Sequence, residues 1–276
     1  MQTPPTGASL ISVAGDIGGW VHNNLDVAPA KHFKWGTLNL VDYAGNTSGT
    51  YIRGSDTIDI SRDSGTTWTN IPGAPSGAWG GSAALTADGK TVIWRTNGQI
   101  VRSVNGAAFA PAANGLPGDA NIVADRKNSS RLYAVSGGSV YFSESAGVNF
   151  TFASKFSTTA TSNNDIAANP FTSGDIWVTS GEGAFHSVFP FTSWTKASDI
   201  VQAHQVSVGK PKTTGGVAPV YLFGFDSTSR PGLYRSDDVG SNWVKMNDNT
   251  KHGFSDIRSD PLAGKSLLLR YSVHLS

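Results

Sequence analysis

Ser61-Arg62-Asp63-Ser64-Gly65-Thr66-Thr67-Trp68 returns near the other end of the chain as Ser236-Asp237-Asp238-Val239-Gly240-Ser241-Asn242-Trp243, and both read S-x-D-x-G-x-x-W. Three degraded copies lie between them. Ser143 to Phe150 keeps the Ser, the Gly and the aromatic, Ser103 to Phe109 is one residue short, and Ser187 to Trp194 keeps only its two ends. The leading serines stand at 61, 103, 143, 187 and 236, so the spacings are 42, 40, 44 and 49 residues. A short strand precedes each motif, over 57–60, 99–102, 139–142, 184–186 and 232–235. A second strand lies upstream in each unit, over 50–53, 91–95, 131–135, 175–179 and 220–223, with Gly, Asn, Asp or Pro in the turns between.

A period of this length accommodates four short strands and their turns, the content of one propeller blade. In the motif, Asp is placed to accept hydrogen bonds from the backbone of its own turn. Gly supplies a positive φ, and the aromatic folds back to bury an apolar face. Repetition marks this as a folding device, so Asp63 and Asp238 are read as structural. The expectation is an all-β propeller with Asp-box (BNR-like) repeats and about six to seven blades. Five units are clear, residues 1–50 supply at least one further partial blade, and 251–276 would complete another. No Pro/Ser-rich linker divides the chain, so 1–276 reads as a single propeller domain.

Composition agrees. Of 276 residues 15% are charged and 32 are Gly, while Glu144 and Glu182 are the only glutamates, so helix formers are scarce and turn formers abundant. A net charge of +1 favours neither nucleic acid nor an anionic membrane as partner. No cysteine is present, and a core of this size needs no disulfide. Met1-Gln2-Thr3-Pro4-Pro5 carries neither a basic region nor an apolar run, so no signal peptide is read there, and no stretch is long and apolar enough for a membrane span. Asn46, Asn128 and Asn149 open N-x-S/T triplets of the kind that chance produces in a Ser/Thr-rich chain.

Several chemistries are set aside. The six histidines show no metal-ligand spacing, so no metal is expected, and there is neither a G-x-S-x-G elbow nor a phosphate loop, so no cofactor is called for. A sialidase would need an arginine cluster and a Tyr–Glu pair, but both glutamates sit inside repeat turns. The informative stretch is Ser9-Leu10-Ile11-Ser12-Val13-Ala14-Gly15-Asp16-Ile17-Gly18-Gly19-Trp20-Val21-His22-Asn23-Asn24-Leu25-Asp26. Leu10, Ile11 and Val13 suggest a buried strand that runs into a glycine-flanked carboxylate, with Trp20 near enough to form a sugar platform. Spacing alone equally describes an Asp-Gly turn beside a core Trp.

The run from Gly15 to Asp26 resembles the segment opening the second propeller of glycoside hydrolase family 74, the endo-xyloglucanases and reducing-end-specific xyloglucan cellobiohydrolases. Further matches follow in family order: Val41-Asp42-Tyr43-Ala44, Ile122 to Asn128 with Leu132-Tyr133-Ala134, Asp175-Ile176-Trp177-Val178, and most specifically Gly232 to Asp248. Together they span residues 9 to about 254. The resemblance implies two propellers around a substrate cleft, each giving one catalytic Asp to an inverting reaction on plant cell-wall xyloglucan outside the cell. Asp16 then corresponds to the general acid. The base belongs to the first propeller, a segment these residues do not contain, so a separate first propeller is an implied partner and the chain alone is expected to be inactive. Trp20 and His22 are the nearest substrate-binding candidates. Trp35 and Trp79 stand behind them, and blade packing is the more ordinary role for these two. The chain departs from the family after Phe254, where Ser259-Asp260-Pro261 leads into Leu267 to His274 instead of a Gly-rich closing strand. The competing reading is a non-catalytic Asp-box propeller that binds glycan or protein.

Overall fold

The computed structural model describes residues 1–29, 32–33, 36–112, 115–158, 164–246, 254–259 and 267–271. Every regular element among them is a β-strand, and the strands form antiparallel sheets in chain order. The first sheet has β1 (Leu10–Ala14), β2 (Gly18–His22) and β3 (His32–Phe33), and a bridge from Gln2 to Ile11 extends it. The second has β4 (Leu40–Tyr43), β5 (Tyr51–Gly54), β6 (Ile58–Ser61) and β7 (Thr69–Ile71). The third has β8 (Ser82–Leu85), β9 (Thr91–Thr96), β10 (Gln99–Val104) and β11 (Ala110–Pro111). The fourth has β12 (Asn121–Ala124), β13 (Leu132–Ser136), β14 (Ser139–Ser143) and β15 (Thr151–Lys155). The fifth has β16 (Ile166–Ala168), β17 (Asp175–Ser180), β18 (Gly183–Val188) and β19 (Thr195–Lys196). The sixth has β20 (Ile200–Val208), β21 (Val220–Asp226), β22 (Pro231–Ser236) and β23 (Val244–Lys245). Last come β24 (Phe254–Ser259) and β25 (Leu267–Tyr271), which pair as a two-stranded sheet. Both sequence-placed strands of every repeat are present, and each repeat forms a four-stranded meander.

The chain forms two compact units. One holds Met1–Ala134 and Tyr141–Phe152, and the other holds Val135–Val140 and the described residues from Ala153 onward. In the first unit, alternation along the strands sends Ile11, Val13, Tyr43 and Tyr51 to one cluster and Ile52, Ile58, Leu85 and Trp94 to another. In the second, Trp177, Val206, Leu222 and Tyr234 form a comparable cluster. Each fully buried large apolar side chain contributes roughly 1.5–3 kcal/mol.

Polar side chains on or just ahead of the leading strand of a sheet capture backbone of the next sheet. Asp42 Oδ2 accepts the Leu85 amide at 2.8 Å, Ser82 Oγ accepts the Ile122 amide at 2.9 Å, and Asp165 Oδ2 accepts the Val206 amide at 3.1 Å. Asp42 is also paired with Arg126, whose guanidinium nitrogens donate to its two oxygens at 2.7 and 3.2 Å and to the Tyr43 carbonyl at 2.7 Å. Both partners are buried. Burial opposes the Arg126 charge, but the Asp42 carboxylate more than compensates and raises its pKa. Two segments that carry the family resemblance, around Asp42 and Arg126, are therefore joined as one structural tie.

The turn motif behaves as its residues dictate. Ser61 Oγ accepts the Gly65 amide at 2.9 Å and donates to Asp63 Oδ1 at 2.8 Å, while the Asp63 carboxylate accepts the Thr67 amide at 2.9 Å and the Thr67 hydroxyl at 2.6 Å. Trp68 closes the turn by donating to the Gly65 carbonyl at 3.0 Å. Ser236, Asp238, Gly240, Asn242 and Trp243 repeat this set at 2.6–3.1 Å. These bonds, foremost those from Thr67 and Asn242, hold both Asp pKa values down to about 2. In the copy from Ser143, Ser145 stands in for the Asp and accepts the Asn149 amide at 3.1 Å. Gly65 and Gly240 have φ of +79° and +81°, and a Cβ there would lie 2.6 Å from Val21 and from Trp177 of the preceding sheets. The glycine is thus required twice, for its dihedral and for close approach. Asp63 also borders a small recess of about 280 Å³ with Asn105, because its turn abuts the corresponding turn of the third sheet.

Candidate active site

Strand alternation gives each sheet two edges. The motif turns lie at one, beside the turns that join the first two strands, as the Ser64 amide shows by donating to Gly49 O at 2.9 Å. The β5–β6 turn lies at the other, beside the connections that lead into the next sheet. There Asn39 N–H donates to Gly54 O at 3.1 Å and Gly80 N–H to Ser55 O at 2.7 Å.

Asp16 is in the Gly15-Asp16-Ile17 turn between β1 and β2, and it is exposed. The Ile17 amide donates back to the Gly15 carbonyl at 2.8 Å, so Asp16 is the central residue of a three-residue turn. Its φ is +62°, a conformation that costs an L-residue free energy. The glycines accommodate the tight reversal, and a Cβ on Gly19 would meet the Ser12 carbonyl at 2.2 Å. Thr37 Oγ1 donates to Asp16 Oδ1 at 2.8 Å. Among the described residues no cation pairs with Asp16, and its Oδ2 has no protein partner. His32 Nε2 lies 2.5 Å from the Ile17 carbonyl. A carbonyl only accepts, so Nε2 carries the proton. The His32 ring in turn packs edge-on against Trp20, with centroids 4.9 Å apart.

The other expected residues are distributed unequally. Trp20 is half-buried on the face of β2 opposite Val21, beside Ser12 of β1. His22 shares that face, but its Nε2 is engaged by Ser12 Oγ at 2.8 Å, and burial lowers its pKa, which keeps it neutral near pH 7. Trp35 lies outside the described residues. Trp79 is 56% exposed, not packed between sheets as its type suggests. The reason is local: the buried Thr96 hydroxyl accepts its amide at 2.9 Å and donates to its carbonyl at 3.4 Å, which fixes the backbone and leaves the indole outside. The connection carrying Thr37 and Asn39 links the Asp16 turn to Gly80, so Asp16 and Trp79 belong to the same edge of the first unit. Thr37, His32 and Thr96 were not found from sequence, because each acts through a contact that no motif spacing encodes. A cavity of about 670 Å³ opens instead at the motif edge, and Asp16, Trp20, His22 and Trp79 do not line it.

No protein-family model matches the chain. A xyloglucanase of Hypocrea jecorina is 32% identical over 277 residues, covering 96% of this chain and 32% of that protein. A xyloglucanase of a Paenibacillus species is 31% identical over 270 residues, covering 90% and 26%. The crystal structure of the GH74 enzyme of Niastella koreensis superposes with a TM-score of 0.86 at 28% identity, covering 98% of this chain and 41% of that one. The chain is a homologue of the glycoside hydrolase family 74 xyloglucanases. Its fold is accordingly that of a β-propeller, and its sheets are blades. It spans about a third or less of the length of these two curated relatives. Within this family 74 homologue, the hairpin turn with Asp16 at its tip belongs to the first blade, and the motif turns to the blades from the second onward.

Proposed function

We propose that these residues form one propeller of a secreted, inverting xyloglucan-specific β-1,4-glucan hydrolase, and that Asp16 is its general acid. The observation that carries this is the presentation of Asp16: exposed, at positive φ on a three-residue turn, with Thr37 holding one oxygen and the other open. The turn conformation projects the carboxylate from the end of the hairpin, and Asp is among the residues that tolerate it. In this reading the protonated Oδ2 gives its proton to the glycosidic oxygen as the bond to the anomeric carbon breaks. Water attacks that carbon from the opposite face, and a base carboxylate takes the proton the water releases. Inversion places the two carboxyl groups about 6.5–9.5 Å apart, with the water between them. The base comes from a first propeller outside these residues, as does the opposite wall of the cleft. Trp79 is the best-presented platform for a sugar face on the Asp16 edge, and an exposed indole suits the C–H face of a pyranose. Trp20 serves behind the turn by packing on His32.

The test is to fuse this chain to the first propeller of the Niastella koreensis relative and follow xyloglucan oligosaccharide cleavage by proton NMR. Release of the α-anomer first, lost on Asp16→Ala, is the expected result. Cleavage that survives Asp16→Ala overturns the assignment.

A further inference from the structure

The cavity at the motif edge of the first unit is a candidate site of its own. Phe33 and Trp68 form an aromatic wall, and Arg53, on β5, lies against both, 4.8 and 4.2 Å from the ring centroids. The Arg53 side chain is only 8% exposed, and its Nε donates to Asp59 at 3.2 Å. Its Nη1 has no hydrogen-bond partner and less than 1 Å² of accessible surface. A buried guanidinium N–H without an acceptor is costly, and aromatic stacking compensates only in part. Burial also depresses the Arg53 pKa, against the opposing pull of Asp59. The remaining polar lining includes His32 and the exposed Asn23 and Asn24, and among the described residues no carboxylate lines the space. About 670 Å³ suits a small organic molecule.

We propose that this cavity binds a small carboxylate carried on an apolar or aromatic body. The carboxylate meets Arg53 and the amides of Asn23 and Asn24, and the body lies on Trp68 and Phe33. A guanidinium has five donors in a planar fork, so Arg53 serves a second carboxylate while keeping Asp59. Nη1 is buried, so binding requires the wall side chains to shift and expose it. This proposal does not rest on the hydrolase reading, although His32, which lines the cavity, also bonds the Ile17 carbonyl of the Asp16 turn.

The experiment titrates the full 276-residue chain with benzoate at constant ionic strength and reads the Trp68 indole N–H by NMR, identified by its loss in Trp68→Phe. Benzamide and methyl β-glucoside are the neutral controls. A saturable shift with benzoate in about the millimolar range is expected, with benzamide weaker by about tenfold or more. Asn24→Asp keeps the side-chain acceptor that holds the Asp26 amide at 2.9 Å, so the loop retains its turn while the rim gains a negative charge. It is expected to weaken benzoate by about tenfold and to leave benzamide unchanged. Equal binding of benzamide would make this a plain apolar cavity, and preference for the glucoside would make it a sugar site. Either result, an unaffected Asn24→Asp variant, or no saturable shift with benzoate overturns the proposal.

Discussion

Asp16 holds a positive-φ conformation at the centre of its turn, and Gly18, two residues on, holds another. Ser64 and Val239 hold the same conformation in the structural motif turns, so what sets Asp16 apart is its exposed carboxylate with one oxygen held by Thr37. In the two-propeller fusion, Asp16→Asn is therefore expected to lower kcat by about 10²–10⁴-fold while KM changes by no more than a few fold, read from initial rates. The motif carboxylates follow a different rule. Asp63 and Asp238 have folded pKa values of about 2, below the ordinary 3.8. Their contribution is therefore fully present above the unfolded pKa and is lost as pH falls from about 4 through 2. Asp63→Asn and Asp238→Asn are expected to flatten the fall of the urea midpoint across that window, with little change in its shape near neutrality. The turn at Asp16 was legible in the sequence because glycines bracket the carboxylate directly after an apolar run. Thr37, His32 and Thr96 were not, because a hydroxyl or imidazole gains its partner only when separate turns meet. The exposure of Trp79 likewise depends on Thr96, whereas residue type alone predicts burial.

At the scale of the blade, the strands of each repeat were legible because the same physical problem recurs in each one. A chain leaving the third strand must reverse, satisfy its own amides and press against the preceding blade. Ser, Asp and Gly do this together at 61–65 and 236–240, and Ser145 shows that a hydroxyl can replace the carboxylate without loss of the turn. The Ser187 copy keeps its serine for a different bond, to Ser193 O at 2.6 Å, and its Trp194 donates to Ser154 Oγ at 2.8 Å instead of to its own turn. Gly65→Ala and Gly240→Ala are each expected to cost roughly 1–3 kcal/mol in chemical denaturation, since φ and the approach to Val21 or Trp177 both resist a Cβ. Ties between blades were less legible. Asp42 and Arg126 are far apart in sequence and announce no pairing, although resemblance singled out both segments. Arg126→Met is expected to cost roughly 3–5 kcal/mol, because Asp42 would remain buried with only the Leu85 amide in partnership. Adding Asp42→Leu should recover part of that loss in a double-mutant cycle.

At the scale of the whole molecule, the proposed inverting reaction implies a division of labour. One carboxylate on one propeller can protonate a leaving oxygen, but it cannot also activate water on the far side of the sugar. Removal of a positioned base typically costs about 10²–10⁴-fold, and loss of the facing wall removes substrate positioning as well. The resemblance to family 74 and the propeller class were legible because they rest on many residues spread along the chain. The most direct test incubates the purified 276-residue chain with xyloglucan oligosaccharides and counts new reducing ends, beside its Asp16→Ala variant and the two-propeller fusion. The account predicts turnover by the fusion and no difference between the isolated chain and its variant. Sustained turnover by the isolated chain that Asp16→Ala abolishes would contradict it, since a second catalytic carboxylate would then lie within this propeller.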